Sequence, residues 1–376
     1  MDPFIEDLDL KCAPWDLAEA LGPSAGLAFL DRPRAYAGET DPSVLGFTPA
    51  LWLEARGRRC AAWSADGFRV VHEGDPLEFL TAWVRRTGVD GPGGRGWIGF
   101  LGYGLGAATE GLRSRHPNAL GMPDMHWVLH DPLLLHDPGS GTWTFVAHGF
   151  DPRTGRTSRD LARRRIEAAR ARLRAALTRP APAEPVDAQD LRSNLDWPGY
   201  RERIERLRAY LEAGDLYQAN LARRFTFATE ASGLALHGRL RARTPMPFGA
   251  YLHGGDWELT VHTPERFLRR RGARIDTDPI KGTRPRGKDA AEDEALRADL
   301  LADPKEAAEH LMIVDLERND LGRICRYGSV RVSAYREVHT LPTLHHLVSR
   351  VEGVLRPGVE LPEILRATFP GGSITG

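Results

Sequence analysis

Cysteine is scarce in this chain. Three cysteines, Cys12, Cys60 and Cys325, occur among 376 residues. Their number is odd, and neither a C-x-x-C pair nor another metal-binding spacing is present, so the sequence favours neither a disulfide framework nor a zinc site. We therefore expect a reducing, cytoplasmic environment.

Long apolar runs and an excess of either charge are also lacking. The sequence contains no run of about 18 uninterrupted apolar residues, and its acidic N-terminal segment lacks the apolar core of a signal peptide. Lysine plus arginine and aspartate plus glutamate both number 51, so the chain has no net positive field to attract nucleic acid or a membrane surface. We expect no membrane and no nucleic-acid partner, and a small-molecule ligand or a local protein partner instead.

Hydrophobic residues make up 41% of the chain, which is enough for a folded core, and their arrangement changes along it. Short apolar or alternating runs that end at Gly, Asp or Pro come first and predict a sheet. A helical run over 160–179 is then followed by the Pro/Ala-rich stretch 180–189, which cannot continue a helix. We therefore predict an N-terminal sheet-rich region over 1–185 and a second region over 186–376.

The second region opens with a helix signal. Asp196 can serve as the N-cap, Pro198 fits the first turn, and Gly214 follows the last helical residue. The segment 216–227 then alternates in hydrophobicity, which predicts a strand with Gln218 on its polar face. This region is therefore expected to contain both helices and strands.

A further helix is predicted to begin at Asp303 and Pro304, and two of its acids share one face. Glu306 and Glu309 are three residues apart, a spacing that places both carboxylates on one stripe. Mg²⁺ prefers oxygen ligands and usually takes one or two protein carboxylates together with water and acidic groups of a substrate. The pair is therefore a candidate Mg²⁺ site, and a solvated helix face is the alternative.

Two more short motifs contain candidate polar residues. Glu265 follows a proline in "TPERF" and has several arginines beside it, a pattern that is typical of a surface ion pair. The motif "FPGGSITG", residues 369–376, holds two glycines and Ser373. Its backbone N–H groups could turn inward as a nest for an anionic oxygen, and a plain turn is the alternative.

Six motifs, taken in order, resemble one family. The stretches "GDLYQANLARRF", "TPERF", "DPIKGTRPRG", "EHLMIVDLERNDLGRI", "LHHLVSRVEG" and "FPGGSITG" have the order and approximate spacing of the chorismate-utilising enzymes. The resemblance runs from Asp196 to the end of the chain, with a looser likeness in "GRGWIGFLGYGLG". It implies an α/β (α+β) fold, a four-layer α/β/β/α sandwich in which both predicted regions form one interlocked body.

The loop "TDPIKGTRPRG", residues 277–287, distinguishes branches of this family. Members that form 4-amino-4-deoxychorismate, a precursor of p-aminobenzoate and folate, have a lysine where Lys281 stands. Members that form anthranilate usually have an alanine there. The resemblance therefore implies that this chain aminates chorismate at C4, with anthranilate formation as the alternative.

A lysine also suits this chemistry on physical grounds. Chorismate is a ring dicarboxylate whose 4-hydroxyl is a poor leaving group beside a conjugated diene. An amine that adds at C2 as the 4-hydroxyl departs would hold the ring covalently until ammonia enters at C4, which divides one difficult displacement into two easier ones. Lys281 must lose its proton to react, and we expect the charges of Arg284 and Arg286 to favour the uncharged amine.

The resemblance also implies roles for the other candidates. Glu265 matches the family's general acid or base, which would protonate the departing hydroxyl. Glu309 matches a Mg²⁺ ligand, with Glu306 as a second or water-mediated contact. His346 matches a histidine that contacts the substrate, and His345 is the alternative if the register differs by one residue.

Backbone groups and one glutamine complete the implied site. The N–H groups near Gly282 and Thr283, together with the region of Ser373, are expected to receive carboxylate oxygens of the substrate. Gln218 stands where family members that form isochorismate or salicylate have a lysine that activates water. Because a glutamine cannot activate water in that way, the resemblance disfavours these products.

Two further expectations concern the C-terminus of the chain and the source of ammonia. Family members continue past the position of Gly376 with "APK" and a second group of Mg²⁺-binding glutamates. Without that segment we expect the C-terminal part of the sandwich to be missing and catalysis to be poor, so a non-catalytic chorismate-binding remnant is another alternative.

No glutaminase module with a nucleophilic cysteine is seen, so we expect a glutamine amidotransferase partner to supply ammonia.

Overall fold

The computed structural model describes residues 3–33, 41–88, 96–109, 111, 118–178 and 185–375. Its strands are β1 (Phe4–Leu8), β2 (Ala28–Asp31), β3 (Ser43–Gly46), β4 (Pro49–Arg56), β5 (Arg59–Trp63), β6 (Arg69–Glu73), β7 (Trp97–Leu101), β8 (Met125–His130), β9 (Leu133–His136), β10 (Trp143–Ala147), β11 (Phe150–Asp151), β12 (Arg156–Thr157), β13 (Gln189–Ser193), β14 (Phe225–Ala228), β15 (Phe248–His253), β16 (Glu258–Thr263), β17 (Arg266–Arg271), β18 (Arg274–Asp278), β19 (Ile280–Pro285), β20 (Arg331–Thr340) and β21 (Leu344–Val354). Its helices are α1 (Pro14–Leu21), α2 (Pro76–Thr87), α3 (Tyr103–Thr109), α4 (Arg159–Leu177), α5 (Trp197–Ala213), α6 (Gly233–Arg243), α7 (Ala290–Ala302), α8 (Pro304–Gly322), α9 (Leu361–Thr368) and α10 (Gly372–Thr375). In the described ranges, every helix is too short or too polar to cross a lipid bilayer.

Within the described residues, three large sheets form the framework. The first has seven strands in the order β1-β10-β9-β3-β2-β15-β16, and the second has five in the order β6-β5-β4-β8-β7. The third has the order β17-β18-β21-β19, with β20 also paired to β21. Two small sheets pair β11 with β12 and β13 with β14. The mixed α+β class predicted from the sequence is confirmed.

Helices bury their apolar faces against the first and third sheets. Ile166 of α4 packs in one cluster with Phe29 of β2 on the first sheet. Val314 of α8 and Ile364 of α9 pack in another cluster with Val351 of β21 on the third sheet. Burying each side chain of this size stabilises the fold by roughly 1.5–3 kcal/mol relative to exposure. This packing fixes α8 over the third sheet, where the candidate site lies.

The helix predicted after Asp196 is confirmed as α5, but the strand predicted after it is wrong over most of its length. The Asp196 side chain accepts a hydrogen bond from the Gly199 N–H (2.9 Å), and Gly214 ends the helix with a φ of 77°. The strand β14 begins only at Phe225, opposite Ser193 of β13. Because the chain leaves β13 to enter α5, no strand of the described residues lies opposite residues 216–224.

One sheet contains strands from both sides of the predicted division at residue 185. β15 and β16 follow that division, yet β15 pairs with β2, with Tyr251 opposite Phe29 and Leu252 opposite Ala28. The described ranges leave out residues 180–184 of the Pro/Ala-rich stretch, so the predicted linker falls largely outside them. The division into two regions stays a prediction.

Candidate active site

A cavity of about 430 Å³ lies where β19, β21 and α8 meet. Its wall contains every predicted site residue except Gln218, together with Pro264 and Ile280. The lining residues are Pro264, Glu265, Ile280, Lys281, Gly282, Thr283, Glu306, Glu309, His346 and Ser373. The structure therefore gathers residues that span more than a hundred positions of the chain into one site.

The Lys281 side chain reaches from β19 to Ser373 of α10. Its Nζ donates a hydrogen bond to the Ser373 carbonyl (2.9 Å) and lies 3.4 Å from the Ser373 hydroxyl. The pairing of β19 with β21 shifts register between Lys281 and Thr283, where Gly282 has a φ of 85°. A glycine suits this irregularity because other residues rarely adopt a positive φ.

The arginines near the lysine do not supply free positive charge, so that prediction is wrong. Arg284 donates hydrogen bonds to Asp299 (2.6 Å) and Asp303 (2.7 Å). Arg286 donates two hydrogen bonds to Asp293, at 2.8 and 2.9 Å. Carboxylates from α7 and its junction with α8 thus compensate both guanidinium charges. The arginines tie β19 to α7 and to the start of α8.

Glu265 lies between β16 and β17 with its carboxylate toward the cavity. The carboxylate accepts a hydrogen bond from the Ile280 N–H (3.2 Å), one residue before the lysine. The neighbouring Arg266 is buried and binds Asp278 instead (2.5 Å). In the part of the chain that the structure describes, Glu265 forms no ion pair, so the expected surface ion pair is wrong for this residue.

The two adjacent histidines of β21 lie on opposite faces of the strand, as the period of a strand requires. His346 Nδ1 lies 3.1 Å from the Thr283 hydroxyl and 3.2 Å from the Gly282 carbonyl. Burial lowers the pKa of His346 more than the Gly282 carbonyl and Glu265 raise it. His345 is fully buried on the other face and contacts Asp293 (2.9 Å). The structure therefore places His346, and not His345, in the cavity.

The two predicted magnesium ligands both face the cavity from the first turns of α8. The helix begins as predicted, because Asp303 accepts hydrogen bonds from the N–H groups of Lys305 (2.9 Å) and Glu306 (3.2 Å). Glu309 forms an ion pair with the exposed Lys305, whose Nζ lies 3.6 Å from its carboxylate. Within the described ranges, no cluster of three or more His, Cys, Asp or Glu side chains is placed to hold a metal ion. The two carboxylates line the cavity, and Glu306 also lies 3.5 Å from Arg284. The pair fits Mg²⁺, which takes few protein ligands and completes its shell with water and substrate oxygens.

Gln218 lies beside the cavity wall and contacts one of these acids. Its Nε2 lies 3.4 Å from Glu309 Oε1. Asn220, two residues later, donates a hydrogen bond to the Ile374 carbonyl (2.7 Å). The irregular segment 216–224 thus connects α8 with α10 through side-chain amides instead of a strand ladder.

A buried acid of α8, Glu317, is the main feature that the sequence analysis missed. Glu317 of α8 accepts a hydrogen bond from the Thr277 hydroxyl (2.8 Å) and is 7% exposed. The pKa of Glu317 is raised to about 8, first by burial and then by the charges of Glu265, Asp320 and Asp278, while the hydrogen bond from Thr277 lowers it. Helical spacing carried a signal for this residue, because Glu317 lies on the stripe of buried residues of α8.

Comparisons of the sequence and of the structure with known proteins agree on the family. The family model described as chorismate binding enzyme matches residues 36–376. The chain is 33% identical over 341 residues to aminodeoxychorismate synthase component 1 of Bacillus subtilis, covering 89% of this chain and 71% of that protein. It is 32% identical over 348 residues to anthranilate synthase component 1 of Cereibacter sphaeroides, covering 89% and 69%. The crystal structure of anthranilate synthase component I from Streptococcus pneumoniae superimposes with a TM-score of 0.73 and 26% identity, over 92% of this chain and 77% of that one.

Proposed function

The chain belongs to the family of chorismate binding enzymes, and we propose that it aminates chorismate at C4 to give 4-amino-4-deoxychorismate. The observation that carries this proposal is the position of the Lys281 amine, which shares one cavity with Glu265, Glu306 and Glu309. The similarity to an aminodeoxychorismate synthase component 1 supports it. The comparable similarity to an anthranilate synthase makes anthranilate the product to test against.

In this proposal Lys281 is the nucleophile. The uncharged amine forms a bond from Nζ to C2 of the ring, the two ring double bonds shift by one position, and the C4–O bond breaks. Ammonia then forms a bond to C4, the double bonds shift back, and the bond from C2 to Nζ breaks. The net change is replacement of the hydroxyl by an amino group with release of one water, and Lys281 is regenerated.

Glu265 is proposed to supply the proton that lets the hydroxyl leave as water. Its carboxylate is oriented by the Ile280 N–H, so it is held next to the backbone of Lys281. After ammonia has added, the same carboxylate can take a proton from the new C4 nitrogen. One group thus serves first as acid and then as base.

The remaining cavity residues are proposed to bind and orient the substrate. Glu306 and Glu309 would hold Mg²⁺, which supplies positive charge to offset a ring carboxylate. Gln218 orients the Glu309 carboxylate from outside the cavity. His346 and Thr283 contact each other and present polar atoms to the same space, where they can donate to substrate oxygens.

A partner subunit is proposed as the source of ammonia. The relatives are named as component 1 of their synthases, which implies a second component. Release of ammonia from glutamine is the reaction class that would feed the second step of the proposed chemistry. We therefore propose a glutamine amidotransferase subunit as the partner.

The test is to incubate the purified chain with chorismate, ammonium chloride and MgCl₂ and to identify the products by liquid chromatography and mass spectrometry. We expect 4-amino-4-deoxychorismate from the wild type and none from Lys281→Ala. Intact-mass analysis without ammonia should show an adduct of chorismate less one water on the wild type but not on Lys281→Ala. Lys281→Arg is the matched control, because it keeps a cation that can reach Ser373 but cannot act as the nucleophile.

Three results would count against the proposal in different ways. Anthranilate as the main product would assign the other branch of the family. Chorismate binding without any product or adduct would support a non-catalytic chorismate-binding protein. Equal product from the wild type and Lys281→Ala would refute the nucleophile while leaving the amination intact.

A further inference from the structure

We propose that Arg284 is a positioning residue that selects the cation held by Glu306, because it occupies one carboxylate oxygen and leaves the other for Mg²⁺. This inference rests on the proposed role of Glu306 and Glu309 as the residues that hold Mg²⁺. Arg284 is not among the described residues that line the cavity. It acts on the site through its contact with Glu306.

The guanidinium of Arg284 is held in one place. Its Nε donates to Asp299 (2.6 Å) and its Nη2 donates to Asp303 (2.7 Å). Its Nη1 donates to the Thr283 carbonyl (3.0 Å). A planar group whose three nitrogens all donate cannot rotate without losing several of these hydrogen bonds. Arg284 is therefore fixed relative to the first turn of α8, where Asp303 is the N-cap.

The fixed guanidinium faces one oxygen of Glu306. Nη1 of Arg284 lies 3.5 Å from Oε1 of Glu306, and Nζ of Lys305 lies 3.9 Å from the same oxygen. The side chains of Arg284 and Glu306 are 19% and 15% exposed, so water and salt screen this pair only in part. Oε1 therefore lies on the side of the carboxylate where positive charge is already present.

The second oxygen of Glu306 lies on the side of the cavity wall. An atom added at the Cβ position of Gly282 would lie 3.3 Å from Oε2. Gly282 lines the cavity next to Lys281. The two oxygens of one carboxylate thus have different surroundings, with cations near Oε1 and the cavity wall near Oε2.

This asymmetry favours a small cation. Mg²⁺ keeps several waters and takes few carboxylate oxygens, whereas Ca²⁺ takes six to eight oxygens and often binds both oxygens of one carboxylate. A cation bound to Oε1 as well as Oε2 would approach the Arg284 guanidinium, and the two positive charges repel each other. Binding through Oε2 alone avoids that repulsion. Arg284 therefore disfavours Ca²⁺ more than Mg²⁺.

Isothermal titration calorimetry of the full chain with MgCl₂ and with CaCl₂, in the absence of chorismate, tests this selectivity. Arg284→Gln removes the guanidinium and frees Oε1, so the ratio of Ca²⁺ affinity to Mg²⁺ affinity should rise by roughly tenfold over the wild type. Arg286→Gln is the matched control. It removes the same charge from the same loop, but Arg286 binds Asp293 of α7, so the ratio should stay at the wild-type value.

Arg284→Lys provides a second measurement if Arg284→Gln does not fold. The lysine keeps the positive charge, but one ammonium group cannot replace a planar fork that contacts Asp299, Asp303 and Glu306 together. It should pair with one of the two aspartates and release Oε1, so the affinity ratio should rise in this variant too. A purely structural role of Arg284 would instead lower both affinities by the same factor.

The outcomes separate this inference from the proposed function. An affinity ratio that is unchanged or lower in the Arg284 variants, or a wild type that binds neither cation, would overturn the role of Arg284 even if the chain aminates chorismate. A raised ratio without any aminated product would support the role of Arg284 in a cation site while the proposed amination fails.

Discussion

Lys281 and Arg284 stand three positions apart in β19 and have opposite kinds of partner. The lysine donates to Ser373, a neutral group, whereas the arginine is surrounded by carboxylates. In the described part of the chain, no carboxylate forms an ion pair with the lysine, although Glu265, Glu306 and Glu309 line the same cavity. Two cationic side chains of one strand therefore have different direct partners, a neutral serine for Lys281 and acids for Arg284.

Gly282 offers a prediction about crowding at the cavity wall. Gly282 and Gly328 both have positive φ, of 85° and 74°. A Cβ at Gly282 would lie 3.1 Å from Leu300 and Leu347, whereas one at Gly328 would meet nothing within 4 Å. Urea unfolding should show that Gly328→Ala costs about 1–2 kcal/mol from backbone strain alone. Gly282→Ala should cost about 1–3 kcal/mol more, from overpacking, and equal costs would show that the cavity wall relaxes freely.

The raised pKa of Glu317 predicts how the free energy of unfolding depends on pH. Its pKa is raised from 4.5 to about 8 in the folded chain, so the folded state holds a proton that the unfolded state has released. The free energy of unfolding should therefore fall as the pH rises from about 4.5 and level off above about 8, by roughly 4–5 kcal/mol as an upper bound. Urea unfolding of the wild type and of Glu317→Gln at pH 6 and pH 9 checks this. The difference between the two proteins should change in favour of Glu317→Gln at pH 9, and a constant difference would contradict the raised pKa.

The sequence could identify most of the candidate residues but not their partners. Glu306, Glu309 and Lys281 stand in local motifs whose spacing or chemistry can be read directly. The pairing of Arg284 with Asp299 and the contact of Glu317 with Thr277 join residues 15 and 40 positions apart. Such contacts depend on how helices settle on the sheet, so neither periodicity nor composition reveals them.

At the scale of elements, the sequence predicted correctly the helices whose N-terminal caps are formed by residues close in the chain. The caps of α5 and α8 lie within three residues of the groups they bind, so Asp196 and Asp303 could be recognised from the sequence. The strand expected over 216–227 failed for the opposite reason. A strand requires a neighbour, and β13, the only described strand that pairs with this segment, ends at Ser193.

The helix α5 is predicted to depend strongly on its cap. Among the described residues no residue of α5 is buried, so tertiary packing contributes little and the Asp196 cap contributes about 1 kcal/mol. In Asp196→Ala, hydrogen exchange of the α5 amides should become roughly fivefold faster, with little change in the global Tm. Asp196→Asn keeps an oxygen that can accept from Gly199 and should behave like the wild type. A loss of global stability in Asp196→Ala would mean that α5 is part of the cooperative core.

At the scale of the whole molecule, the sheets do not follow the division that composition suggests. The seven-stranded sheet takes β1, β2, β3, β9 and β10 from before residue 185 and β15 and β16 from after it. The contact between β2 and β15 joins residues more than two hundred positions apart. Composition shows where the residue types along the chain change, but it carries no information on which distant strands pair.

This arrangement predicts the effect of a cut in the chain. If residues 180–184 are replaced by a protease recognition sequence and cleaved, we expect the two fragments to remain bound in gel filtration and to unfold in one transition. The reason is that separation would expose the buried Tyr251 and Leu252 of β15 and remove the hydrogen-bond partner of β2. A chain expressed as 185–376 alone is the control, and it should be insoluble or unfolded because β15 then forms an apolar sheet edge. Fragments that separate in native buffer and keep the circular dichroism spectrum of folded protein would establish two independent domains. That result would support the predicted boundary at residue 185.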